Sequence, residues 1–333
     1  MKRIAINGLG RIGRMVLRHY MEVHPKDVTL VAANDLIPTD DLAYLMKYDS
    51  AHGRATFPIS SDEHTIKMGD MTLNVYAEKD PSQLPWKKLG IDVVIESTGR
   101  FTKRELAAKH LEAGARRVII SAPATDADIT IVVGVNDNKF DPKKHNVISM
   151  ASCTTNSLAP PLKVLMDSFG VERAMATTVH AYTASQALVD KPDKKWSRGR
   201  AAAVSLVPSS TGSDIATVLV LPELKDRLRA LAIRAPIVDG AITDIVADLK
   251  KSTSAELVNT AFKAASNGHL KDILAYSEDE LVSADIIGDT HSGIVHALST
   301  QVVQGTMVKV QVWYDNEFGY SRRLLDVIER LDL

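Results

Sequence analysis

Short apolar runs alternate with amphipathic stretches through the first 150 residues. "RIAIN" (Arg3–Asn7) predicts a buried strand, "RIGRMVLRHYMEV" a helix, and "VTLVAAND" (Val28–Asp35) a second strand. The rhythm returns in "DVVIEST" (Asp92–Thr98), a helix through "KRELAAKHLEAG", and strands in "RRVIISA" and "ITIVVGV". Strand–helix–strand alternation predicts a parallel sheet with helices on its faces. One stretch breaks the pattern. "HTIKMGDMTLNVY" (His64–Tyr76) places Gly-Asp between two alternating runs, the signature of an inserted hairpin.

The second half has a different period. Long strand-like runs dominate: "RAMATTVHAYTA", "LRALAIRAP", "AITDIVADL" and "TMVKVQVWYD". A helix is expected near Leu158–Asp167, "SAELVNTAFKAAS" is an amphipathic helix, and "SRRLLDVIERL" is helical again. This pattern predicts a mainly antiparallel sheet with helices on one face. The expected organisation is α/β: a parallel-sheet domain over 1–151, an α+β domain over 152–316, and a C-terminal helix (317–333) packed back on the first domain.

Composition narrows the class. The chain has 333 residues, 45% of them apolar and 24% charged, with a formal net charge of −1. Near-neutrality offers no general attraction to nucleic acid or to acidic membranes, and neither is expected as a partner. No apolar run reaches the ~18–20 residues that span a bilayer. "MKRIAINGLG" lacks the h-region and cleavage site of a signal peptide, and one cysteine cannot form an internal disulfide, so the cytoplasm is expected.

Two features carry chemistry. Gly8-Leu9-Gly10-Arg11-Ile12-Gly13 follows a strand and opens a helix, the context of a dinucleotide fingerprint. Asp35, 22 residues past Gly13, stands where a carboxylate accepts from the ribose hydroxyls and repels a 2′-phosphate, which favours NAD over NADP. The second feature is the only cysteine, Cys153, in "ASCTTNS" (Ala151–Ser157). It directly precedes a helical pattern, whose dipole favours a thiolate. Pro160 and Pro161 require that this helix either kinks or starts late. By position alone, Cys153 reads equally as a small core residue. His180, late in the run "TTVHAYT", offers a general base for a Cys–His pair. The other histidines show no metal-ligand spacing with cysteine or carboxylates, and no metal is expected. "PSSTGSD" (Pro208–Asp214) and the basic "KPDKKWSRGRAAA" (Lys191–Ala203) are candidate anion-binding segments.

With these residues in place, the chain resembles the phosphorylating glyceraldehyde-3-phosphate dehydrogenases almost end to end. The resemblance rests on "INGLGRIGR" (Ile6–Arg14), "KYDSAHG" (Lys47–Gly53), "ASCTTN", "TTVHAYT", "SSTG" (Ser209–Gly212) and "WYDNEFGYS" (Trp313–Ser321). It implies a Rossmann-type NAD domain and a catalytic domain. It further implies NAD-dependent oxidation of D-glyceraldehyde 3-phosphate, with inorganic phosphate, to 1,3-bisphosphoglycerate through a thiohemiacetal and thioester on Cys153, with His180 as base. By the same resemblance, Ser152, Thr154, Thr211 and Gly212 match the inorganic phosphate site. Thr183 and Arg234 match the site for the substrate's own phosphate, and Arg198 helps hold phosphate. Gly8, Gly10, Arg11, Ile12, Gly13, Asp35, Ser121, Asn316 and Tyr320 match NAD contacts. A homotetramer is implied, with the loop Ala181–Ala203 packed on a neighbour's cofactor site.

This chain departs from the family pattern at Ser157, often a second cysteine, and at Ser185, often aspartate. It departs again at "APIVDG" (Ala235–Gly240) and at Lys191, which counts toward some NADP use. The rival within the superfamily is erythrose-4-phosphate dehydrogenase, which diverges at "HAYT" and "PSSTG". A cysteine hydrolase and a non-catalytic scaffold are the remaining alternatives.

Overall fold

Lys2–Asn7 forms a strand with parallel neighbours on both edges, Val28–Asn34 and Val93–Glu96. Ile4, Ala5 and Ile6 are fully buried. A strand covered on both faces has no need for polar alternation, which is why "RIAIN" reads as a continuous apolar run. The computed structural model describes residues 1–331. They fall into two compact units: Met1–Ile131, Asp137–Ala151 and Ser321 onward, then Val132–Asn136 with Ser152–Tyr320.

In the first unit the described residues form a nine-stranded sheet. From one edge the strands are Ile129–Thr130, Val147–Ser149, Arg117–Ile120, Val93–Glu96, Lys2–Asn7, Val28–Asn34, Met71–Tyr76, Thr65–Met68 and Ile59–Ser61. The pairs are parallel as far as Met71–Tyr76 and antiparallel beyond it. The expected hairpin is the cause: Met68 pairs with Met71 across Gly69-Asp70, and Gly69 has φ 55°.

Two expectations need correction here. "KRELAAKHLEAG" is not one helix but two short ones, Arg104–Ala107 and Lys109–Glu112. In "ITIVVGV" only Ile129–Thr130 is strand; Val132–Asn136 belongs to the second unit, where Val132 and Val135 enter the core. An apolar run announces burial but not which core receives it. The helix Phe318–Arg330 ends against Lys2, whose Nζ donates to Ile328 O (2.5 Å) and Leu331 O (2.7 Å), a cation on the negative helix end. The last two residues of the expected 317–333 helix lie outside the described residues.

The second unit contains an eight-stranded sheet among the described residues. It is mainly antiparallel, as expected, with two parallel pairs. Val171–Ala181 pairs in parallel with Leu228–Ala235, and Leu274–Ser277 in parallel with Gly293–His296; the other pairs are antiparallel. The long connection after Ala181 permits the parallel return, which a tight hairpin could not make. Val308, Val310 and Val312 alternate into a core completed by Leu158, Leu162 and Leu165 from one helix and Val258 and Phe262 from another. No described helix is long and apolar enough to cross a membrane.

The helix carrying the cysteine runs from Cys153 to Phe169 through both prolines. It neither starts late nor stops at Pro160. Proline removes two N–H groups from the ladder, but Leu158, Ala159, Leu162 and Leu165 are fully buried, and tertiary packing outweighs the lost bonds. Ser152 caps the start, its Oγ accepting from Thr155 N at 3.0 Å.

Candidate active site

The glycine loop is built on backbone. Gly8 has φ 95°, and a Cβ there would lie 2.7 Å from Thr98 N. A Cβ on Gly13 would lie 2.1 Å from Gly8 O, so the first helical turn packs against the loop only as glycine. Gly10 faces open space and precedes the helix Arg11–Val23. Ser97 Oγ donates to Gly8 O at 2.6 Å, tying the loop to the end of the Val93–Glu96 strand. Gly8, Gly10, Asn34, Asp35, Ser97, Thr98 and Phe101 line one cleft of about 540 Å³ at the carboxyl ends of three parallel strands. That is the crevice in which doubly wound sheets take their ligands.

Asp35 lines this cleft and also shapes it. Its Oδ2 accepts from Leu9 N (2.6 Å) and its Oδ1 from Ile37 N (3.0 Å). Arg11, Ile12 and Ser121 are half-buried and do not line the cleft. Arg11 instead grips Asp49 with both Nη atoms, and Ser121 N donates to Glu96 O at 2.9 Å. Asp49 was not singled out in the sequence, although it sits within "KYDSAHG". Its partners Arg11 and His52 hold its carboxyl far below the ordinary range despite burial.

The chemistry of the second unit gathers around Cys153. The thiol is half-buried at the first position of its helix, and its Sγ lies 3.4 Å from His180 Nε2. His180 is buried near the end of Val171–Ala181, in register with Arg234 on the parallel neighbour. Arg234 Nη1 lies 2.6 Å from His180 Nδ1 and donates to Ala181 O at 3.0 Å. Nδ1 is also 2.7 Å from Ala181 O. Nδ1 cannot both accept from Arg234, whose guanidinium only donates, and donate to Ala181 O; the tautomer that donates to the carbonyl is the one that turns the Nε2 lone pair toward sulfur, as a general base requires.

Burial sets the resting protonation. Desolvation pushes the Cys153 thiol up to about 11, against the opposing pull of Arg234 and of hydrogen bonds from Thr154. Desolvation and then Arg234 push the His180 imidazolium down to about 3. The helix N-terminus is in place as expected, yet burial outweighs it, and the resting pair is neutral thiol and neutral imidazole. Arg234 lowers both values. Its charge therefore acts in opposite senses on a proton transfer between the two groups, favouring the thiolate and disfavouring the imidazolium.

The expected phosphate residues occupy three places. Ser152 Oγ caps the Cys153 helix and lies 2.8 Å from Thr155 Oγ1. Thr154 is buried, with Oγ1 3.0 Å from Tyr314 Oη. Thr183 Oγ1 lies 3.1 Å from Ser185 Oγ, which accepts from Arg198 Nη2 at 3.0 Å. Arg198 is near enough to Arg234 to lower that guanidinium's proton affinity, so two cations face one region. Thr211 and Gly212 start the helix Ser213–Val220, Gly212 as its cap. The preceding strand, Val207–Ser209, pairs with the Arg234 strand, and Lys195 Nζ donates to Ser210 Oγ.

Asn316 is 5% exposed and its Oδ1 has no hydrogen-bond partner. A buried amide oxygen left open is what an incoming N–H donor, such as a carboxamide, requires. This open acceptor fits the carboxamide of a nicotinamide. Tyr320 is buried. Tyr314 was missed in the sequence: it lies inside "WYDNEFGYS" beside Asn316, and only its packing separates it from an ordinary core tyrosine. Its ring meets His180 edge-on, with centroids 5.8 Å apart at 79°.

The chain is similar to known proteins along nearly its whole length. A family model described as "Glyceraldehyde 3-phosphate dehydrogenase, NAD binding domain" matches residues 2–104, and one described as its C-terminal domain matches 152–316. The chain is 54% identical to glyceraldehyde-3-phosphate dehydrogenase of Geobacillus stearothermophilus, over 98% of this chain and 96% of that one. It is 52% identical to glyceraldehyde-3-phosphate dehydrogenase 1 of Bacillus subtilis (98% and 96%) and 50% identical to that of Thermotoga maritima (99% of each). The chain belongs to the glyceraldehyde-3-phosphate dehydrogenase family.

Proposed function

We propose that the protein oxidises D-glyceraldehyde 3-phosphate with NAD and inorganic phosphate to 1,3-bisphosphoglycerate. The observation that carries this reading is the 3.4 Å approach of Cys153 Sγ to His180 Nε2, with Arg234 on the far side of the ring. His180 Nε2 takes the thiol proton as sulfur adds to the aldehyde carbon, forming the C–S bond of a thiohemiacetal. The imidazolium and the Cys153 backbone N–H stabilise the oxygen as its charge develops. NAD, when bound, accepts the hydride from that carbon, which leaves a thioester on Cys153. A phosphate oxygen then adds to the thioester carbon, and the C–S bond breaks to return the thiolate and release the acyl phosphate. The thioester conserves oxidation energy that an ordinary ester would lose.

The resemblance to the family supports the remaining roles. Arg234 and Thr183 hold the substrate's own phosphate, and Arg198 assists. Ser152, Thr154, Thr211 and Gly212 receive inorganic phosphate. Gly8, Gly10, Gly13 and Asp35 form the dinucleotide cradle, Arg11, Ile12 and Ser121 make further NAD contacts, and Asn316 accepts from the carboxamide beside Tyr320. Residues 1–151 serve as the NAD domain and 152–316 as the catalytic domain. Asp35 favours NAD, and Lys191 leaves room for weak NADP turnover. A free catalytic thiol suits a reducing compartment, hence the cytoplasm.

The chain acts as a homotetramer in this reading. Leu188, Val189, Trp196, Val204 and Leu206 leave an apolar loop surface exposed, Trp196 by 91%. Such a surface calls for a partner, here other copies of the chain. Light scattering at the monomer mass would remove the tetramer.

The test is NADH formation from glyceraldehyde 3-phosphate and NAD, with and without inorganic phosphate. Sustained turnover only with phosphate is expected. Equal rates without phosphate would mean hydrolysis of the thioester and would overturn the acyl-phosphate assignment.

A further inference from the structure

Beside the glycine loop, the dinucleotide cleft is lined by polar side chains from the ends of the strands. Asn7, Asn34 and Glu96 end three adjacent parallel strands, and Asn34 and Glu96 are the register partners of Asn7 on its two sides. Asn7 and Asn34 line the cleft, as do Glu78 and Thr98. Glu96 does not line it and is 2% exposed. Glu96 meets His110, and His110 meets Trp86; both rings are fully buried. The proposed reaction gives this buried carboxyl and imidazole nothing to do.

The direction of each hydrogen bond is fixed from two ends. At one end the Glu78 backbone orients Asn34: Glu78 N donates to Asn34 Oδ1 (2.8 Å), and Asn34 Nδ2 donates to Glu78 O (2.9 Å). Asn34 Nδ2 also donates to Asn7 Oδ1 at 2.7 Å, so Asn7 turns its own Nδ2 to Glu96 Oε2. At the other end an indole only donates, and Trp86 Nε1 lies 2.9 Å from His110 Nδ1. Nδ1 must accept, which leaves the ring proton on Nε2, 3.1 Å from the same Glu96 Oε2. Glu96 Oε1 accepts from Thr98 N at 2.8 Å and from Thr98 Oγ1, which itself accepts from Arg100 N. Position 96 thus receives two donors on each oxygen, a set that only a carboxylate accepts in full.

We propose that Glu96 is a positioning residue for the dinucleotide cleft: its carboxylate sets the polarity of Asn7 and Asn34, seats Thr98, and so presents these groups to the cofactor in one fixed arrangement. The inference rests on the reading of that cleft as the NAD site and extends it to a residue that does not line the cleft. An amide at position 96 cannot take the carboxylate's place. Its oxygen must face Thr98 N, so its NH2 faces Asn7 and His110. Asn7 then has to turn over to accept, and it meets Asn34 donor against donor. Asn34 cannot turn in its own place without losing both bonds to the Glu78 backbone. One changed atom is therefore felt from residue 96 to residue 78, because buried polar groups have no water to fall back on. His110 carries the effect to a further cleft residue: its ring meets Phe101 edge-on, with centroids 6.5 Å apart at 77°.

The experiment is NAD affinity by titration calorimetry, in the full chain without aldehyde or phosphate. Glu96→Gln should weaken NAD binding by about tenfold. Asn7→Asp alone sets two carboxylates against each other and should weaken it too. With both substitutions the amide and the carboxylate have changed places. The amide at 96 then donates to the carboxylate at 7, which still accepts from Asn34 and is in reach of His110 Nε2, 3.3 Å from the Asn7 terminus. The double variant should therefore bind NAD more tightly than either single one, a reversal of sign that a double-mutant cycle reads directly. A purely structural role would lower the unfolding temperature and leave the affinity of the folded protein unmoved. Unchanged affinity in folded Glu96→Gln, or a double variant no tighter than the better single one, would overturn the inference. Should Glu96→Gln fail to fold by circular dichroism, Asn7→Asp against the double variant decides by the same sign. A wild-type chain that binds no NAD would sink the cofactor reading and this inference with it. Wild-type binding with indifferent variants would sink the inference alone.

Discussion

The two functional regions are built in opposite ways. The dinucleotide cradle uses neighbours in sequence: Gly8, Gly10 and Gly13 lie within six residues, and backbone geometry does the work. The thiol site draws on Cys153, His180, Arg234 and Tyr314, which meet only because three strands and a helix pack in one unit. A site made of backbone tolerates almost any side chain that the turn accepts. A site made of side chains depends on the packing that aims each one.

Substitutions can break this contrast, beginning with the largest effect. Cys153→Ser should lower dehydrogenase turnover by about 10⁴-fold or more, because a serine hydroxyl is a far weaker nucleophile beside the same base. NAD affinity, measured by fluorescence quenching, should not change. A parallel loss of NAD binding would show that the two regions are not separable.

His180→Asn should slow acylation by about 10²–10⁴-fold in single-turnover measurements. It should also change acid stability. The folded-state value of His180 lies near 3, below the ordinary 6.5. The neutral ring therefore contributes stability that is complete above 6.5 and is lost as pH falls toward 3. Denaturant unfolding of His180→Asn should show a shallower decline across that window. An identical decline would place the acid sensitivity elsewhere.

Gly13→Ala addresses the other region. Its Cβ would meet Gly8 O at 2.1 Å, so the loop must shift. NAD affinity should fall at least about tenfold, while iodoacetamide alkylation of Cys153 in the apoenzyme keeps its rate. Unchanged affinity would mean that the cradle is not built on close backbone approach.

The smallest effect sharpens the role of Ser152. Its hydroxyl caps the helix, so Ser152→Ala should cost about 1 kcal/mol by urea denaturation. If Ser152 also receives phosphate, KM for inorganic phosphate should rise. A stability loss with unchanged KM would leave it only a cap.

Legibility followed the same division. The parallel strands, the hairpin at Gly69-Asp70, and the strand "AITDIVADL" could be read from period alone, since burial writes itself into alternation. The split of "ITIVVGV" could not, because an apolar residue carries no label for its core. Nor could the passage of the helix through Pro160 and Pro161, which depends on the energy of a buried face rather than on local propensity. Asp49 and Tyr314 stood inside quoted motifs yet gave no sign of what each would touch.

Local covalent chemistry and periodicity are properties of the chain, so the sequence by itself determined the glycine turn, the carboxylate at the end of the second strand, the single thiol and the order of strands and helices. Distance and dielectric are properties of packing. Only the tertiary structure could bring Nε2 to 3.4 Å from sulfur and set Arg234 beside Nδ1. It also desolvates the half-buried thiol, raising it to about 11 against the opposing pull of Arg234.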